Sequence, residues 1–172
     1  MSQPVSHSGS IDDFNALPPD EAGDRLAACL PVPRWVATVS DGRPYADWPA
    51  LEAVADSAAR HLDDAELGVA LAGHPRIGER ASSPDHQATF SAREQAGVDP
   101  ADAEVGRELA AGNAAYEERF DRVFLIRAAG RSAPEILAEL RRRLDNDDDA
   151  ERAETVTQLR EIALLRLRQV VS

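Results

Sequence analysis

His74 stands in Gly73-His74-Pro75-Arg76-Ile77-Gly78-Glu79-Arg80, a run broken by glycine and proline with neither helical nor strand periodicity. The proline that follows it fixes its position, and an imidazole titrating near neutral pH is what a general acid or base requires. A surface histidine at a helix end is the plainer alternative. Further on, Ser91-Ala92-Arg93-Glu94-Gln95 brings a hydroxyl, a carboxylate and an amide close together, which suits a small, urea-like ligand held by paired hydrogen bonds. Ser91 and Glu94 also have the spacing of a helix capping box, so the same residues fit a structural role. Near the C-terminus, Leu159, Ala163, Arg166 and Val170 share one arc of a helix at about 100° per residue, which puts Arg166 on an apolar stripe. A buried arginine is costly unless paired, and its planar fork suits a carboxylate on a ligand or elsewhere in the chain. Internal pairing with one of the many acids, or snorkelling to the surface, is equally open.

Composition removes several kinds of chemistry. The 172-residue chain has 19 basic residues, every one an arginine, so imine-forming catalysis, a lysine-anchored pyridoxal phosphate and a phosphate-binding Walker lysine are all excluded. The single cysteine, Cys29, forbids an internal disulfide and a cysteine-rich metal cluster, and its apolar neighbours Leu26, Ala27, Ala28 and Leu30 mark it as a buried small hydrophobe. His74, Asp85 and His86 could be assembled as metal ligands for a hydrolase, but their spacing matches no helical two-histidine motif, and no metal is expected. A net charge of -12 repels nucleic acid and anionic membranes. No apolar stretch is long enough for a membrane span and the start lacks a signal-peptide pattern, so a reducing cytoplasm is the expected location.

The elements that must hold these residues read as helices almost throughout. Residues 1–9 are expected to form a flexible N-terminal tail, and residues 10–172 one domain. Ser10 caps a first short helix, Pro18-Pro19 opens a second ending near Leu30-Pro31, and a third runs from Pro33 to a break at Asp41-Gly42. Leu51, Val54, Ala55, Ala58 and Leu62 have helical spacing, as does Ala65 to Ala72. The irregular stretch from Gly73 to Thr89 precedes a helix near Thr89 to Ala96, then one from Pro100 in which Val105, Leu109, Asn113, Tyr116 and Phe120 share a face. Val123-Phe124-Leu125-Ile126 is extended or buried, Ser132 opens a capped helix, and a long final helix follows Asp145 to Asp149. With no alternating strand pattern, the fold class is an all-α, single-domain helical bundle.

Taken in order, His74-Pro75-Arg76-Ile77-Gly78, Ser91-x-x-Glu94-Gln95-Ala96-Gly97, Asn113-x-x-Tyr116-x-x-Arg119-Phe120, Phe124-Leu125-Ile126 and Leu165-Arg166-Leu167 resemble the OHCU decarboxylase family. OHCU is 2-oxo-4-hydroxy-4-carboxy-5-ureidoimidazoline, an intermediate of urate (purine) degradation. The resemblance runs from about Phe14 to Val171. It implies an all-helical, usually homodimeric lyase that decarboxylates OHCU to (S)-allantoin and CO2 with no metal or organic cofactor and no macromolecular partner beyond a second copy. By motif position it implies His74 and Glu94 as catalytic residues, His74 being the acid. Pro75, Ser91, Ala92, Arg93, Gln95 and Arg166 would contact substrate, and Phe124, Leu125, Ile126, Arg127 and Ala128 would offer backbone hydrogen bonds. Where the family has Phe-Gly-Phe, this chain has Phe120-Asp121-Arg122, which changes the local turn. A non-catalytic helical adaptor, or an inactive relative, is the competing reading, with Arg166 and the capping box purely structural.

Overall fold

The computed structural model describes residues 10–78 and 103–172. Among them are eight helices and no strand: α1 (Ile11–Ala16), α2 (Pro19–Cys29), α3 (Pro33–Asp41), α4 (Trp48–Ala59), α5 (Asp64–Ala72), α6 (Ala103–Phe120), α7 (Ala133–Leu144) and α8 (Asp148–Val171). The all-α expectation holds. The expected tail, the helix near Thr89 to Ala96 and the whole of Ser91 to Gln95 lie outside the described residues.

Local chemistry explains where these helices begin. Ser10 Oγ accepts from the Asp13 N–H while the Asp13 carboxylate accepts from the Ser10 N–H, and Asp63 with Glu66 and Ser132 with Glu135 close the same reciprocal box. Prolines occupy the first turns of α2, α3, α4 and α7, where no intrahelical N–H is needed. One boundary differs from the expected pattern. Leu62 continues the spacing of α4 and is buried, yet the helix stops at Ala59, because Asp63 already caps α5 and turns the chain.

Two apolar clusters make up the interior. The larger joins α1 to α5 with α8 around Trp35, whose indole Nε1 donates to the Ala55 carbonyl at 3.0 Å. Cys29 is buried in it and its thiol donates to the Arg25 carbonyl, in keeping with the packing role read from its neighbours. The smaller cluster joins α6 to α7, with Tyr116 stacked obliquely on Phe120 and edge-on to Phe124. Gly112 lets these two helices approach, since a Cβ there would lie 2.5 Å from Leu140 Cδ2.

The run from Val123 to Ile126 is the seam between the clusters. It is neither helix nor strand, and its side chains alternate between the two clusters as those of an extended chain do. Leu125 accordingly packs into the larger cluster, and Phe124 and Ile126 into the smaller. Leu125 shares the larger cluster with Leu159, Ile162 and Ala163 of α8, and the Arg127 N–H donates to Gln158 of the same helix, which ties this segment to α8.

Candidate active site

His74 lies immediately beyond α5, where its backbone N–H donates to the Leu71 carbonyl at 3.0 Å. Gly73 closes the helix and Pro75 prevents its resumption. The side chain is partly buried and, with Pro75, lines a cavity of about 430 Å³ against the C-terminal end of α6. Arg76 borders the same space. Its Nε and Nη2 donate to Glu117 Oε1 at 2.5 Å and Oε2 at 2.9 Å, a bidentate pair that holds the Glu117 carboxyl below the usual carboxylate range.

The titration of His74 departs from the sequence expectation. Burial, and next the Arg166 guanidinium, push its pKa from 6.5 down to about 3. Both causes favour the neutral imidazole at physiological pH, where the residue type alone suggests titration near neutrality. Periodicity placed this histidine in a loop, but its desolvation and its cationic neighbour come from segments distant in the chain.

Arg166 is fully buried, as its position on the apolar stripe of α8 implied. Its Nη1 lies 3.5 Å from the Ala28 carbonyl of α2, at the limit of a hydrogen bond. His74 and Arg166, 92 positions apart by their numbers, thus act on one another across the bundle.

Phe124, Leu125, Ile126 and Ala128 are buried and Arg127 is partly buried. Three of the backbone groups in this stretch are already engaged: the Leu125 carbonyl accepts from Arg143 Nη1 at 2.6 Å, the Arg127 N–H donates to Gln158 Oε1 at 2.8 Å, and the Ala128 carbonyl accepts from the Arg131 N–H at 3.0 Å. Gln158 lies on α8 two turns before Arg166, so the segment is tied to the helix that carries that arginine. Arg127 itself turns outward toward Glu161, at 3.6 Å. Ser91, Ala92, Arg93, Glu94 and Gln95 lie outside the described residues, as do Asp85 and His86. Among the described residues no cluster of three or more histidine, cysteine, aspartate or glutamate side chains could hold a metal ion.

Sequence reasoning missed the network behind this segment. Arg143 and Glu151 are 1% and 0% exposed and form a buried ion pair through Arg143 Nε, at 2.8 Å, and Nη2. The Tyr116 hydroxyl donates to Glu151 Oε1 at 2.5 Å, and burial, followed by that carboxylate, pushes the phenol up to about 12. Asn146 donates to Glu151 Oε2 at 3.0 Å, and the Arg143 guanidinium lies 4.7 Å from the centre of the Phe124 ring. The signal that revealed Arg166 was present here as well. Arg143 continues the stripe Ile136, Leu140, and Glu151 begins the stripe Thr155, Leu159, Ile162.

The family described as OHCU decarboxylase matches this chain over residues 15–168. Among solved structures, the crystal structure of an OHCU decarboxylase in the presence of (S)-allantoin superposes with a TM-score of 0.71 at 22% identity, over 86% of this chain and 97% of that one. The crystal structure of an (S)-allantoin synthase superposes with a TM-score of 0.64 at 16% identity, over 92% of this chain and 52% of the longer chain. No curated protein sequence matches. At these identities the structural likeness speaks for the fold, and the family match over nearly the whole length carries the assignment: the chain belongs to the OHCU decarboxylase family.

Proposed function

We propose that this protein catalyses the family reaction, decarboxylation of OHCU to (S)-allantoin and CO2 in urate degradation, with His74 and Arg166 as its central groups. The observation that carries the assignment of roles is that His74 and Pro75 line a cavity at the end of α6 while Arg166 is fully buried on α8, its positive charge disfavouring protonation of the imidazole. Arg166 supplies a permanent cation in a water-poor site, which suits the substrate carboxylate. Burial is the larger cause of the lowered His74 basicity; the smaller contribution, from Arg166, is offset once that anion arrives, so the carboxylate works toward a more basic imidazole.

The chemistry needs no external electron sink. When the C4–CO2 bond breaks, its electron pair forms a double bond to the adjoining ring carbon, and the C–N π pair moves onto the ring nitrogen, which is protonated. The 4-hydroxyl then loses its proton as the carbonyl forms, and the adjoining carbon gains one. A neutral His74 accepts the hydroxyl proton and can return it to one face of that carbon, which sets the S configuration. The Phe124 to Ala128 segment, braced by Arg143 and Gln158, holds the ring for this transfer, and its backbone groups not already engaged face the substrate. Glu94 and Gln95, with Ser91 to Arg93, grip the hydroxyl and ureido groups, and Pro75 forms a wall. No helix among the described residues is long and apolar enough to cross a membrane. We place the enzyme in the cytoplasm as a homodimer, which sedimentation analysis checks.

The test is to generate OHCU in place from urate with the two preceding enzymes and follow circular dichroism. Since OHCU decays unaided to racemic allantoin, rapid appearance of one enantiomer is the expected result, with a loss of roughly 10²- to 10⁴-fold in His74→Ala. Racemic product at the background rate overturns the reading in favour of an inactive relative.

A further inference from the structure

Asn113 opens the third of the ordered motifs, and the proposed mechanism gives it no part. It stands on α6, 4% exposed, and its Nδ2 donates to the Ile77 carbonyl at 3.1 Å. That carbonyl belongs to the chain that leaves α5 through His74. The stretch is fastened at both ends. The His74 N–H donates to the Leu71 carbonyl of α5, and Ile77 is held by the Asn113 amide and by its own side chain, which is buried in the smaller cluster. Between the two fastenings the ring of Pro75 fixes its φ, and Arg76 is closed on Glu117, one turn along α6 from Asn113. The Arg76–Glu117 pair is 48% and 27% exposed, so water screens it, and the buried amide bond is the firmer hold. Packing does not account for an amide at this position. Among the described residues Asn113 Oδ1 has no hydrogen-bond partner, a cost that an apolar side chain of similar size would not incur.

Resting on the function proposed above, we infer that Asn113 is a positioning residue for the reaction: by pinning the Ile77 carbonyl to α6 it sets where the His74 imidazole stands. Asn113 is not among the residues that line the cavity, so it acts through the loop. The imidazole must reach one hydroxyl proton and one face of one carbon, and an error of about 1 Å in its place costs up to roughly 100-fold in rate. The end of α5 does not secure it alone, because a helix terminus opens readily. The bond to α6 ties the loop to the second cluster, so His74 is held between two packed clusters instead of at the free end of one.

The test uses Asn113→Leu, close to asparagine in size and without a donor, in the full chain. Beside it stands Ile136→Ala, which removes packing from the same cluster on α7 and no hydrogen bond. For Asn113→Leu, kcat is expected to fall roughly 10- to 100-fold with KM changed less than about threefold. Ile136→Ala is expected to lower Tm at least as far and to keep kcat within about threefold of the wild type. An unchanged kcat in Asn113→Leu, a change confined to KM, or an equal loss of kcat in Ile136→Ala overturns the inference. The His74 imidazole C–H signal in NMR, identified by its absence from His74→Gln, reads the ring without turnover. The charged residues around it are Arg166 on α8 and, in the cavity wall, Arg76, Glu117, Asp121 and Arg122. In the wild type this signal is expected to hold its shift between about pH 5 and pH 8, and in Asn113→Leu, with the ring freed toward water, to titrate. A signal that behaves alike in the two proteins also overturns the inference. Should the wild type leave OHCU to decay at its background rate, the proposed reaction fails, and the His74 signal still decides whether Asn113 holds the ring. If Asn113→Leu lacks a cooperative unfolding transition, Asn113→Ser, whose hydroxyl is one bond short of the Ile77 carbonyl, gives the reading.

Discussion

The buried pair Arg143–Glu151 allows the sharpest test of how this fold holds its site. Both side chains are removed from water, at 1% and 0% exposure, and the carboxylate also accepts from Tyr116 and Asn146. Glu151→Leu leaves a guanidinium in the interior with the Leu125 carbonyl, the Thr155 hydroxyl, the Phe124 ring and a longer 3.8 Å contact to Glu154 in place of its close carboxylate partner. Arg143→Met leaves the carboxylate with two neutral donors. Breaking one side of such a pair costs about 3–5 kcal/mol, a large share of the roughly 5–15 kcal/mol by which domains are stable. For a chain of this length it corresponds to a fall in Tm of roughly 6–20 °C. The double variant Arg143→Met, Glu151→Leu removes both charges and leaves mainly the Tyr116 hydroxyl and the Leu125 carbonyl without their partners. Its cost is expected to stay near that of either single change, which requires a coupling of about 3 kcal/mol between the positions. Urea unfolding of the four proteins measures this directly. Single variants that each lose less than about 1 kcal/mol, or losses that simply add in the double variant, would refute the account of a desolvated, mutually dependent pair.

Four further outcomes follow. Because the folded-state pKa of His74 is about 3 against 6.5 when exposed, the unfolded chain binds more protons between those values, and stability rises with pH across that window and is flat above it for this group. Wild type measured against His74→Gln should lose about 2 kcal/mol between pH 7.5 and pH 5. For the same reason kcat/KM should show no inflection from His74 between pH 5 and pH 8, and one near 6.5 that disappears in His74→Gln contradicts the desolvated imidazole. Arg166→Lys keeps the charge but loses the planar fork, so KM should rise roughly tenfold or more, whereas an unchanged KM assigns Arg166 to packing alone. Asp121→Gly relieves a left-handed backbone and should stabilise the fold by about 0.5–1 kcal/mol in thermal unfolding; a loss of stability would instead show that the Asp121 side chain secures the turn.

Helix order, capping residues and the burial of Arg166 were legible in the sequence because each depends on neighbours within one or two turns. Ser10 with Asp13 and Ser132 with Glu135 are such neighbours, as are the residues of the α8 stripe; the equally local box of Asp63 with Glu66 emerged only in the structure. The five ordered motifs likewise carried the family reading from about Phe14 to Val171, and the family match over residues 15–168 bears it out. Pairings between helices had no such local signature. Arg143 and Glu151 each occupied an apolar stripe, but only the turn of the chain from the end of α7 into the start of α8 made them partners. The same holds for the extended run at Val123, whose side chains divide between two clusters only because α6 and α7 lie on one side and α8 on the other.

His74 shows the boundary most plainly. Its residue type, its loop and the proline after it belonged to the sequence, which therefore determined that an imidazole would be held still at the end of α5. Its charge did not, since protonation depends on the solvent excluded around the ring and on a guanidinium brought across the bundle from α8. Solvation and Coulomb energy are functions of distance in space and of surrounding density, neither of which sequence separation encodes, so the neutral state of the imidazole was decided by the tertiary structure alone.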